Sequence, residues 1–422
     1  MPTALRARSA GPAAALSLVA NAITLPTAAQ EVDRVTLPAV VVTATRSERS
    51  LADQPDSVTV IPREQIEQTP AKALDDVLRT VPSVNLPAAA SYQIHPTADS
   101  VSMRGLGGIR ALVLLDGVPI NDPFFGYVQW NRVPMETIER VEIVRGGGSP
   151  LWGNYAMGGV INIITRVPED GHAFEGEAGY GSYDTYRAGG YADVTASEAL
   201  KIRAGVSAWG TGGFNQVPAG SGPIFVPTAF DARNAALTAY VTPDETLRGY
   251  LRLNYHANDQ ALTTRLQNNH QQIYDFSGSV TKRIVPSEVT LTAFHEHSRF
   301  LTDNTNTPTG VAVGFGEFLQ NRHTTPVDST GASAQWSMRI GDVFRLVSIG
   351  VDFQQIEGQD SAAIFDEAGA QIRTDLGRGK QRFLGVFGQV DVFPTDRLEL
   401  LASARLQNFS NFDGFDGTGG LG

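Results

Sequence analysis

From about residue 169 onward the sequence alternates apolar and polar residues in segments of about ten, and this pattern limits the fold more than any other feature. It is clearest at 200–209, 247–256 and 398–406. Successive side chains of a β-strand point to opposite faces, so each of these segments would have one apolar and one polar face. Ten residues of a tilted strand are enough to cross the apolar layer of an outer membrane. The pattern therefore predicts a wall of antiparallel strands, with one face toward lipid and the other toward a wet lumen.

The connections between these segments alternate in length. Short connections alternate with long polar ones. The short ones are at 196–199, 242–245, 285–288, 341–342 and 394–397, and the long ones are at 210–231, 258–271, 302–327 and 357–379. Short periplasmic turns and long external loops are typical of bacterial membrane barrels. A soluble β-sandwich would also alternate, but it gives no reason for every second loop to be long. We count about eleven strands and expect the last to end near Phe409, with 410–422 as a loop.

Composition excludes several classes of function. A mean hydropathy of −0.12 argues against a bundle of membrane helices, and a net charge of −11 argues against nucleic acid as a partner. The chain has no cysteine, and it contains neither a Gly-x-Ser-x-Gly nor a His-Glu-x-x-His motif. We expect no enzyme activity, no cofactor and no metal site. His295 and His297 would share one strand face and could hold a metal, but polar residues at a strand end are the commoner case.

The first 29 residues have the features of a secretory signal peptide. Arg6 and Arg8 precede an apolar stretch at 11–25, and small residues follow up to Ala29. We expect the mature chain to begin near Gln30.

Residues 50–168 predict a small α/β domain. Three β-branched or aliphatic runs, at 111–115, 138–144 and 159–165, lie between glycine and proline turns, as in a buried mixed sheet. A further strand is predicted at 57–61. Thr69 and Pro70 fit an N-cap and a first helical residue, for a helix that ends before Pro82.

Three pieces of this domain carry a family resemblance. SVSMRGLGG (100–108), LLDGVPIND (114–122) and IERVEIVRGGGSPLWGNYAMGGVINIIT (138–165) resemble the plug domain of TonB-dependent outer-membrane receptors. The resemblance implies a membrane β-barrel of antiparallel strands, 22 in the family type, around an N-terminal α/β plug domain inside the lumen. Residues 169–422 would supply only about half of that barrel, and eleven strands closed on themselves would be too narrow for the plug. We therefore interpret the chain as a fragment or a truncated copy.

The segment between signal and plug, 30–49, is expected to lie in the periplasm. Its β-branched run predicts an extended segment that could add to the edge of another protein's sheet, although it could also be the first strand of an ordinary sheet. The resemblance implies a TonB box here, and so a partnership with TonB and its inner-membrane energy-coupling complex. The predicted TonB-binding residues are Leu37, Pro38, Ala39, Val40, Val41, Val42, Thr43 and Ala44.

Two long loops, 87–99 and 119–134, are predicted to carry the ligand site. The second concentrates aromatic residues, which indicates either ligand contacts or packing against the wall or the plug core. The candidate ligand-binding residues are Tyr92, Gln93, Phe124, Phe125, Tyr127, Gln129, Trp130 and Asn131. Candidates for plug structure or coupling are Arg104, Gly105, Asp116, Gly117, Glu139, Glu142, Arg145, Gly146, Gly153, Gly158 and Gly159. The charged residues among these could hold the plug to the lumen, or they could form ordinary ion pairs within the plug.

The resemblance implies energy-coupled uptake of a scarce solute, such as an iron–siderophore or cobalamin. It places the protein in the outer membrane of a Gram-negative bacterium as a monomer surrounded by lipid, with plug and TonB box facing the periplasm. The alternative function is a non-transporting binding or adhesion protein on the same scaffold. An exported hydrolase is disfavoured because no nucleophile and base pair is evident.

Overall fold

The structure is a computed structural model, and it describes residues 40–41, 46, 49–51, 57–341, 343–395 and 398–420. No helix in this described part has the length and hydrophobicity needed to cross a membrane.

An N-terminal domain, defined here as residues 57–168, follows two short paired strands. The paired strands are β1 (Val40–Val41) and β2 (Arg49–Ser50). The domain contains β3 (Ser57–Pro62), α1 (Arg63–Gln68), α2 (Leu74–Leu78), β4 (Val84–Asn85), β5 (Ser102–Met103), β6 (Ala111–Leu115), β7 (Val118–Pro119), β8 (Ile138–Arg145), α3 (Ser149–Trp152) and β9 (Gly159–Thr165). Short 3₁₀ helices occupy Ser91–Gln93, Pro96–Ala98, Trp130–Arg132, Met135–Thr137 and Asn154–Ala156.

The predicted mixed sheet is confirmed. Its order is β3-β8-β9-β6-β7, with β6 parallel to β9 and the other neighbours antiparallel. All five residues of β6 are buried, as a strand covered on both faces requires. The helices α1 and α2 cover one side through Ile66, Leu74 and Leu78, which join the sheet in one apolar core.

The predicted helix start at Thr69 was wrong. Residues 63–68 already form α1, and the Thr69 backbone N–H donates to the Ile66 carbonyl at 3.2 Å, so Thr69 ends a helix instead of beginning one. The next helix begins only at Leu74. There the Asp76 carboxylate accepts from the Lys72 N–H at 3.1 Å, which supplies a partner for one N–H ahead of the first turn.

The predicted eleven strands of the wall are confirmed, and they form one antiparallel sheet in sequence order. They are β10 (His172–Gly181), β11 (Thr185–Ser197), β12 (Leu200–Thr211), β13 (Phe230–Asp244), β14 (Leu247–Ala261), β15 (Asn268–Ile284), β16 (Ser287–Asn306), β17 (Phe318–Met338), β18 (Phe344–Phe365), β19 (Gln371–Thr395) and β20 (Leu398–Gly420). A 3₁₀ turn at Ser182–Asp184 joins β10 to β11. Within the described residues, β10 and β20 are the two edges of this sheet.

Several strands extend further than the sequence predicted. The last strand continues to Gly420, so the prediction that it ends near Phe409 was wrong. The predicted loop 357–379 shrinks to 366–370, and 302–327 shrinks to 307–317, because their flanks pair as strand. Much of these flanks is polar, as at 302–306, 320–325 and 357–361, and a sequence pattern cannot separate such stretches from a loop.

The wall has an inner face, which contacts the N-terminal domain, and an outer face. Along β14, Tyr250, Arg252 and His256 point inward, whereas Leu251 and Leu253 are half-exposed on the outer face. The alternation in sequence therefore corresponds to a polar inner face and an apolar outer face.

Candidate functional site

An arginine of the N-terminal domain is buried against two carboxylates of the wall. The loop 119–134 ends in a 3₁₀ turn that carries Arg132. Its guanidinium donates to Glu296 Oε2 at 2.7 Å and to Asp275 Oδ2 at 3.1 Å. Burial alone would lower the pKa of Arg132, but the two carboxylates outweigh that effect and raise it. Removing one partner of such a buried cluster costs about 3–5 kcal/mol, so this contact fixes the loop firmly.

A second contact joins the β6–β7 turn to the wall. Asp116 and Gly117 both have positive φ, at 49° and 83°, and this tight turn aims the Asp116 carboxylate at the inner face. The carboxylate accepts from the Thr165 N–H at 2.8 Å and from the Arg252 guanidinium of β14. Tyr250 on the same strand donates to the Asp116 carbonyl at 3.3 Å. Among the coupling candidates, Asp116 thus contacts both the N-terminal domain and the wall.

A third contact involves Arg46, which follows the predicted TonB box by two residues. Its guanidinium lies 3.9 Å from the ring centroid of Trp152 in α3 and 4.5 Å from that of Phe387 in β19. The guanidinium also lies 3.9 Å from Asp352 Oδ2. The backbone carbonyl of Arg46 accepts a hydrogen bond from Gln335 Nε2 at 3.1 Å. One side chain therefore connects the N-terminal segment, the N-terminal domain and the wall.

The predicted TonB-binding residues lie largely outside the described part of the chain. Leu37, Pro38, Ala39, Val42, Thr43 and Ala44 are outside it, while Val40 and Val41 form β1. The backbone of β1 pairs with Arg49 and Ser50.

The other charged coupling candidates make their described contacts within the N-terminal domain. Glu142 is fully buried and accepts from Arg140 Nη2 at 2.8 Å. Arg145 donates to the Pro82 carbonyl at 3.1 Å and to Thr59 Oγ1 at 2.7 Å. Glu139 is exposed. These contacts favour the interpretation of ordinary pairs that support the domain's own fold.

The glycine candidates lie where the backbone has positive φ or where another part of the chain packs closely. Arg104 and Gly105 form a turn with positive φ, and the Arg104 side chain lies over Gly146. A Cβ at Gly159, where φ is 149°, would lie 2.5 Å from the Val144 carbonyl oxygen. Gly158 lies against the Met103 and Arg110 carbonyls, and Gly153 faces Arg405 and Gln407 of β20.

Most of the ligand candidates are buried, either against the wall or in the core of the N-terminal domain. Tyr127 and Trp130 are each 1% exposed, and Tyr127 accepts from Gln271 Nε2 of β15 at 2.8 Å. Tyr92 packs edge-on against Trp209 at 5.2 Å, and Asn131 accepts from Asn234 through its backbone carbonyl at 3.1 Å. Gln129 is also buried. Tyr92, Tyr127 and Asn131 thus contact the wall, whereas Trp130 packs in the domain's own apolar core. A ligand would meet these residues only after the loops move.

Three ligand candidates remain accessible at the top of the domain. Phe124 is 42% exposed, and Phe125 is half-buried and lies edge-on to it at 4.8 Å. Gln93 lies on the neighbouring loop and its carbonyl accepts from Gln216 at 3.1 Å. The accessible surface therefore combines two aromatic rings with an amide.

The loop 87–99 is held by a charged pair on α2. Arg79 donates to the carbonyls of Pro87 and Ala89, the latter at 2.7 Å, and Asp75 accepts from the N–H and Oγ of Ser91. At the end of the loop, Asp99 is 1% exposed, and neither of its carboxyl oxygens has a hydrogen-bond partner among the described residues. Burial, reinforced by the nearby Asp75, raises the pKa of Asp99 to about 8. This carboxyl is therefore largely protonated at neutral pH.

The external loops of the wall are connected to one another. The Ile224 N–H donates to the Gly314 carbonyl at 3.3 Å, and Phe225 and Thr264 form a β-bridge. Thr309 donates to Glu367 through its backbone N–H at 3.0 Å and its hydroxyl at 2.5 Å. Loops 212–229, 262–267, 307–317 and 366–370 are thus linked in one assembly.

The two histidines considered as metal ligands instead pair with one carboxylate on the outer face. His297 Nδ1 lies 2.9 Å from Asp328 Oδ1, and His295 Nε2 lies 3.8 Å from the same oxygen. No group of three or more His, Cys, Asp or Glu side chains suited to a metal ion occurs in the part of the chain that the structure describes.

Sequence reasoning missed the contacts that join domain and wall. Arg132, Arg252, Asp275 and Glu296 were not singled out, and the partners are separated by more than a hundred positions. One signal in the sequence could have indicated these contacts: charged residues occupy inward positions of strands whose other inward residues are mostly uncharged and polar. An inward charge in a packed interface needs a partner of opposite charge.

A family model described as the TonB-dependent Receptor Plug Domain matches residues 50–160. The vitamin B12 transporter BtuB of Vibrio vulnificus is 41% identical over 154 residues, which cover 36% of this chain and 24% of that protein. BtuB of Photobacterium profundum is 32% identical over 175 residues, covering 42% of this chain and 28% of that protein. The matched residues thus span only about a quarter of the length of these curated relatives.

Solved structures resemble the fold over most of the chain. The ferripyoverdine receptor of the Pseudomonas aeruginosa outer membrane matches 91% of this chain and 56% of its own, with a TM-score of 0.72 and 16% sequence identity. That likeness extends through the N-terminal domain into the wall of eleven strands. The plug-domain match, the sequence relatives and this shared architecture agree: residues 50–160 match the plug domain of TonB-dependent receptors, and the chain as a whole is similar to such receptors in fold.

Proposed function

We propose that this chain is part of an outer-membrane receptor that takes up a scarce solute, such as an iron–siderophore or cobalamin, with energy supplied through TonB. In this proposal residues 1–29 are a signal peptide, 30–49 a periplasmic segment with the TonB box, 50–168 the plug and 169–422 an incomplete transmembrane barrel. The relatives named vitamin B12 transporters and the receptor for ferripyoverdine support a transport role. Known members of this family are transporters and receptors, not enzymes.

Support for the ligand site comes from the accessible part of the plug loops. Phe124 and Phe125 offer flat apolar surface and Gln93 offers an amide on the neighbouring loop, which suits a large ligand with both aromatic or macrocyclic and polar parts. The residues just below them, including Tyr127 and Asn131, are bonded to the wall. A ligand that contacts the upper residues can therefore bias how the lower ones pack.

The observation that carries the proposal is the position of Arg46. It contacts Trp152 of the plug, together with Phe387 and Asp352 of the wall, directly after the TonB box. A segment held this way can exist docked or released, and a ligand shifts that balance only if it binds one state better. Stacking of an arginine on a desolvated ring is worth about 2 kcal/mol or more, so a ligand that releases the segment must bind the released state better by at least that order.

The direct test of coupling is deletion of residues 37–44 from the chain. We expect uptake of radiolabelled ferric chelate or cobalamin to be lost, while ligand binding at the cell surface is retained. The proposal is wrong if uptake continues unchanged. If binding persists and the intact chain also shows no dependence on a proton gradient, the non-transporting alternative is the better description.

Release of the box segment can be measured with one spin label, because the chain contains no cysteine. With a label at Thr43→Cys, we expect Arg46→Ala to increase the mobile spectral fraction about tenfold, and Arg46→Lys to increase it less, because lysine keeps the charge but loses planar stacking. Arg63→Ala is the matched control, since Arg63 pairs with Glu67 inside the plug at 2.6 Å. Equal mobility in the Arg46 and Arg63 variants would contradict the docking role.

A further inference from the structure

Two histidines, one from the plug and one from the wall, meet at Thr302 on the inner face of the wall. Nε2 of His95, in the loop 87–99, lies 2.9 Å from Thr302 Oγ1. His323 of β17 is the cross-strand partner of Thr302, so the two side chains share a face with their Cβ atoms about 5 Å apart. The two imidazole rings are therefore neighbours on the lumen side.

His323 has the surroundings of a metal-binding histidine. Its Nδ1 donates to Asp360 Oδ2 at 2.8 Å, and the Thr325 hydroxyl donates to the other oxygen of that carboxylate at 2.8 Å. A hydrogen-bonded carboxylate behind one ring nitrogen is the usual support of a histidine that binds a metal. The other nitrogen, Nε2, has no hydrogen-bond partner among the described residues, and the side chain is 29% exposed. This nitrogen is free to bind a solute in the lumen.

His95 can offer its Nε2 to a solute by leaving Thr302. Its Nδ1 accepts from the Thr97 N–H at 3.3 Å, so the ring proton lies on Nε2 and is donated to Thr302. Burial and the nearby His323 both lower the pKa of His95, so the ring is neutral, which is the form that binds metals. When Nε2 binds a metal, the ring proton moves to Nδ1, where Thr97 Oγ1 at 2.8 Å accepts it in a hydrogen bond.

Two imidazoles are too few to hold a bare metal ion. Protein sites for zinc use three or four protein ligands, and the described residues contain no group of three or more His, Cys, Asp or Glu suited to a metal. The metal must therefore arrive with most of its ligands in place. A chelate with six donors leaves no position for an imidazole, whereas a planar macrocycle with four nitrogen donors leaves two axial positions. Imidazole is a common axial ligand of such complexes.

Flat apolar surface lies beside the histidines. The ring of Phe300 on β16 is 6.0 Å from the His95 ring and 6.0 Å from the ring of Phe125 in the plug loop 119–134. Phe125 in turn lies 4.8 Å from Phe124, which is 42% exposed. Aromatic rings stack well on a planar macrocycle, and this row leads from the accessible surface to His95.

We propose that His95 and His323 recognise a planar metal macrocycle, a tetrapyrrole chelate of iron or cobalt with an exchangeable axial position, by binding its metal directly. The axial water of the metal leaves to solvent as the nitrogen binds. This inference rests on the proposed function, because it names the class of solute that the receptor takes up. Because His95 exchanges its bond to Thr302 for a bond to the metal, arrival of the solute detaches the loop 87–99 from the wall at this point.

The test uses the detergent-solubilised 422-residue chain and matched pairs of ligands that differ at the metal. Haemin is compared with metal-free protoporphyrin, and aquocobinamide with dicyanocobinamide, in which both axial positions are filled. We expect haemin or aquocobinamide to bind more tightly than its matched partner, with the absorption spectrum of an imidazole-ligated metal. Which of the two does so distinguishes an iron from a cobalt macrocycle. Ferrichrome, whose iron has six oxygen donors, should bind more weakly than either.

Variants then identify the nitrogen donors. His95→Gln and His323→Gln should each change the imidazole-ligated spectrum, and Asp360→Asn should weaken binding of the preferred chelate by about tenfold. His297→Gln is the matched control, since His297 also pairs with a carboxylate, Asp328 at 2.9 Å, but on the outer face. A variant that folds poorly loses both members of a ligand pair, whereas loss of metal ligation lowers only the member with the exchangeable position.

The inference is overturned if neither haemin nor aquocobinamide is preferred over its matched partner, or if the His95 and His323 variants keep the spectrum of the unaltered chain. If the chain then still supports TonB-dependent uptake of ferrichrome by cells, the proposed function stands and only the class of solute is wrong. Absence of TonB-dependent uptake for all of these chelates would contradict the proposed function itself.

Discussion

At the scale of single residues, charges placed where water is excluded determine how the plug sits against the wall. Arg132 and Asp116 each meet an opposite charge from a wall strand. Asp99, by contrast, has no hydrogen-bond partner for its carboxyl oxygens in the described residues. The first two positions fix a docked geometry, and the third makes the stability of that geometry depend on pH.

Arg132→Ala should loosen the loop 119–134 strongly. The variant leaves Asp275 and Glu296 without their shared cation, at a cost of about 3–5 kcal/mol. We expect hydrogen exchange in this loop to accelerate more than a hundredfold, as about 3 kcal/mol implies. Arg187→Ala is the control, since Arg187 also bonds across domain and wall, to the Lys72 carbonyl, but lies nearer the surface. Similar acceleration in both variants would show that burial of the Arg132 pair is unimportant.

Asp99→Asn should flatten the pH dependence of stability. The pKa of Asp99 is raised to about 8 in the fold, so the neutral carboxyl is the stabilising form. Its contribution is complete below the unfolded pKa of about 4 and is lost as pH rises through about 8. Between pH 5 and pH 8.5 we expect the urea midpoint of the unaltered chain to fall, which corresponds to a loss of on the order of a few kcal/mol in unfolding free energy. The midpoint of the Asp99→Asn variant should fall less.

Glu139→Gln serves as the reference for that experiment, because Glu139 is an exposed carboxylate of the same domain. Should the asparagine variant and this control keep the same pH slope as the unaltered chain, the buried carboxyl would not be the source of the effect.

At the scale of elements, the long loops of the wall are hydrogen-bonded to one another. Glu367, at the tip of the β18–β19 hairpin, accepts two hydrogen bonds from Thr309 in the neighbouring loop. Gly314 in that neighbouring loop accepts from Ile224. These hydrogen bonds therefore join the neighbouring loops directly.

Glu367→Ala should free the loop 307–317 without unfolding the wall. Both hydrogen bonds to Thr309 are lost, and we expect limited proteolysis within this loop to become several-fold faster. Glu169→Ala is a suitable control, since Glu169 lies at the opposite end of the wall, before β10. Unchanged cleavage would mean that the loop is held by its other contacts.

At the scale of the whole molecule, the strands could be predicted from local sequence patterns, whereas the side-chain pairs between distant residues could not. The mixed sheet of the plug and the eleven strands follow from runs and alternation that each strand carries locally. The ends of β18, β19 and β20 were misjudged because their outer parts are rich in polar residues and glycine. The charge pairs of the site join residues distant in sequence, as Arg132 and Glu296 do, so only the folded chain brings them together.

The long strands have a consequence for how a solute would reach the plug. A tilted strand needs about nine to eleven residues to cross a bilayer, but β19 has 25, and its first part, 371–381, lies beyond Arg382, where the outer face of this strand turns polar. Eleven residues at about 3.3 Å each extend about 36 Å along the strand, and a tilt of about 45° reduces this to roughly 25 Å of added height. In a closed barrel of the proposed kind, an arriving molecule would pass between these long strand ends before it touches Phe124, and exchanging loops alone would leave that passage unchanged.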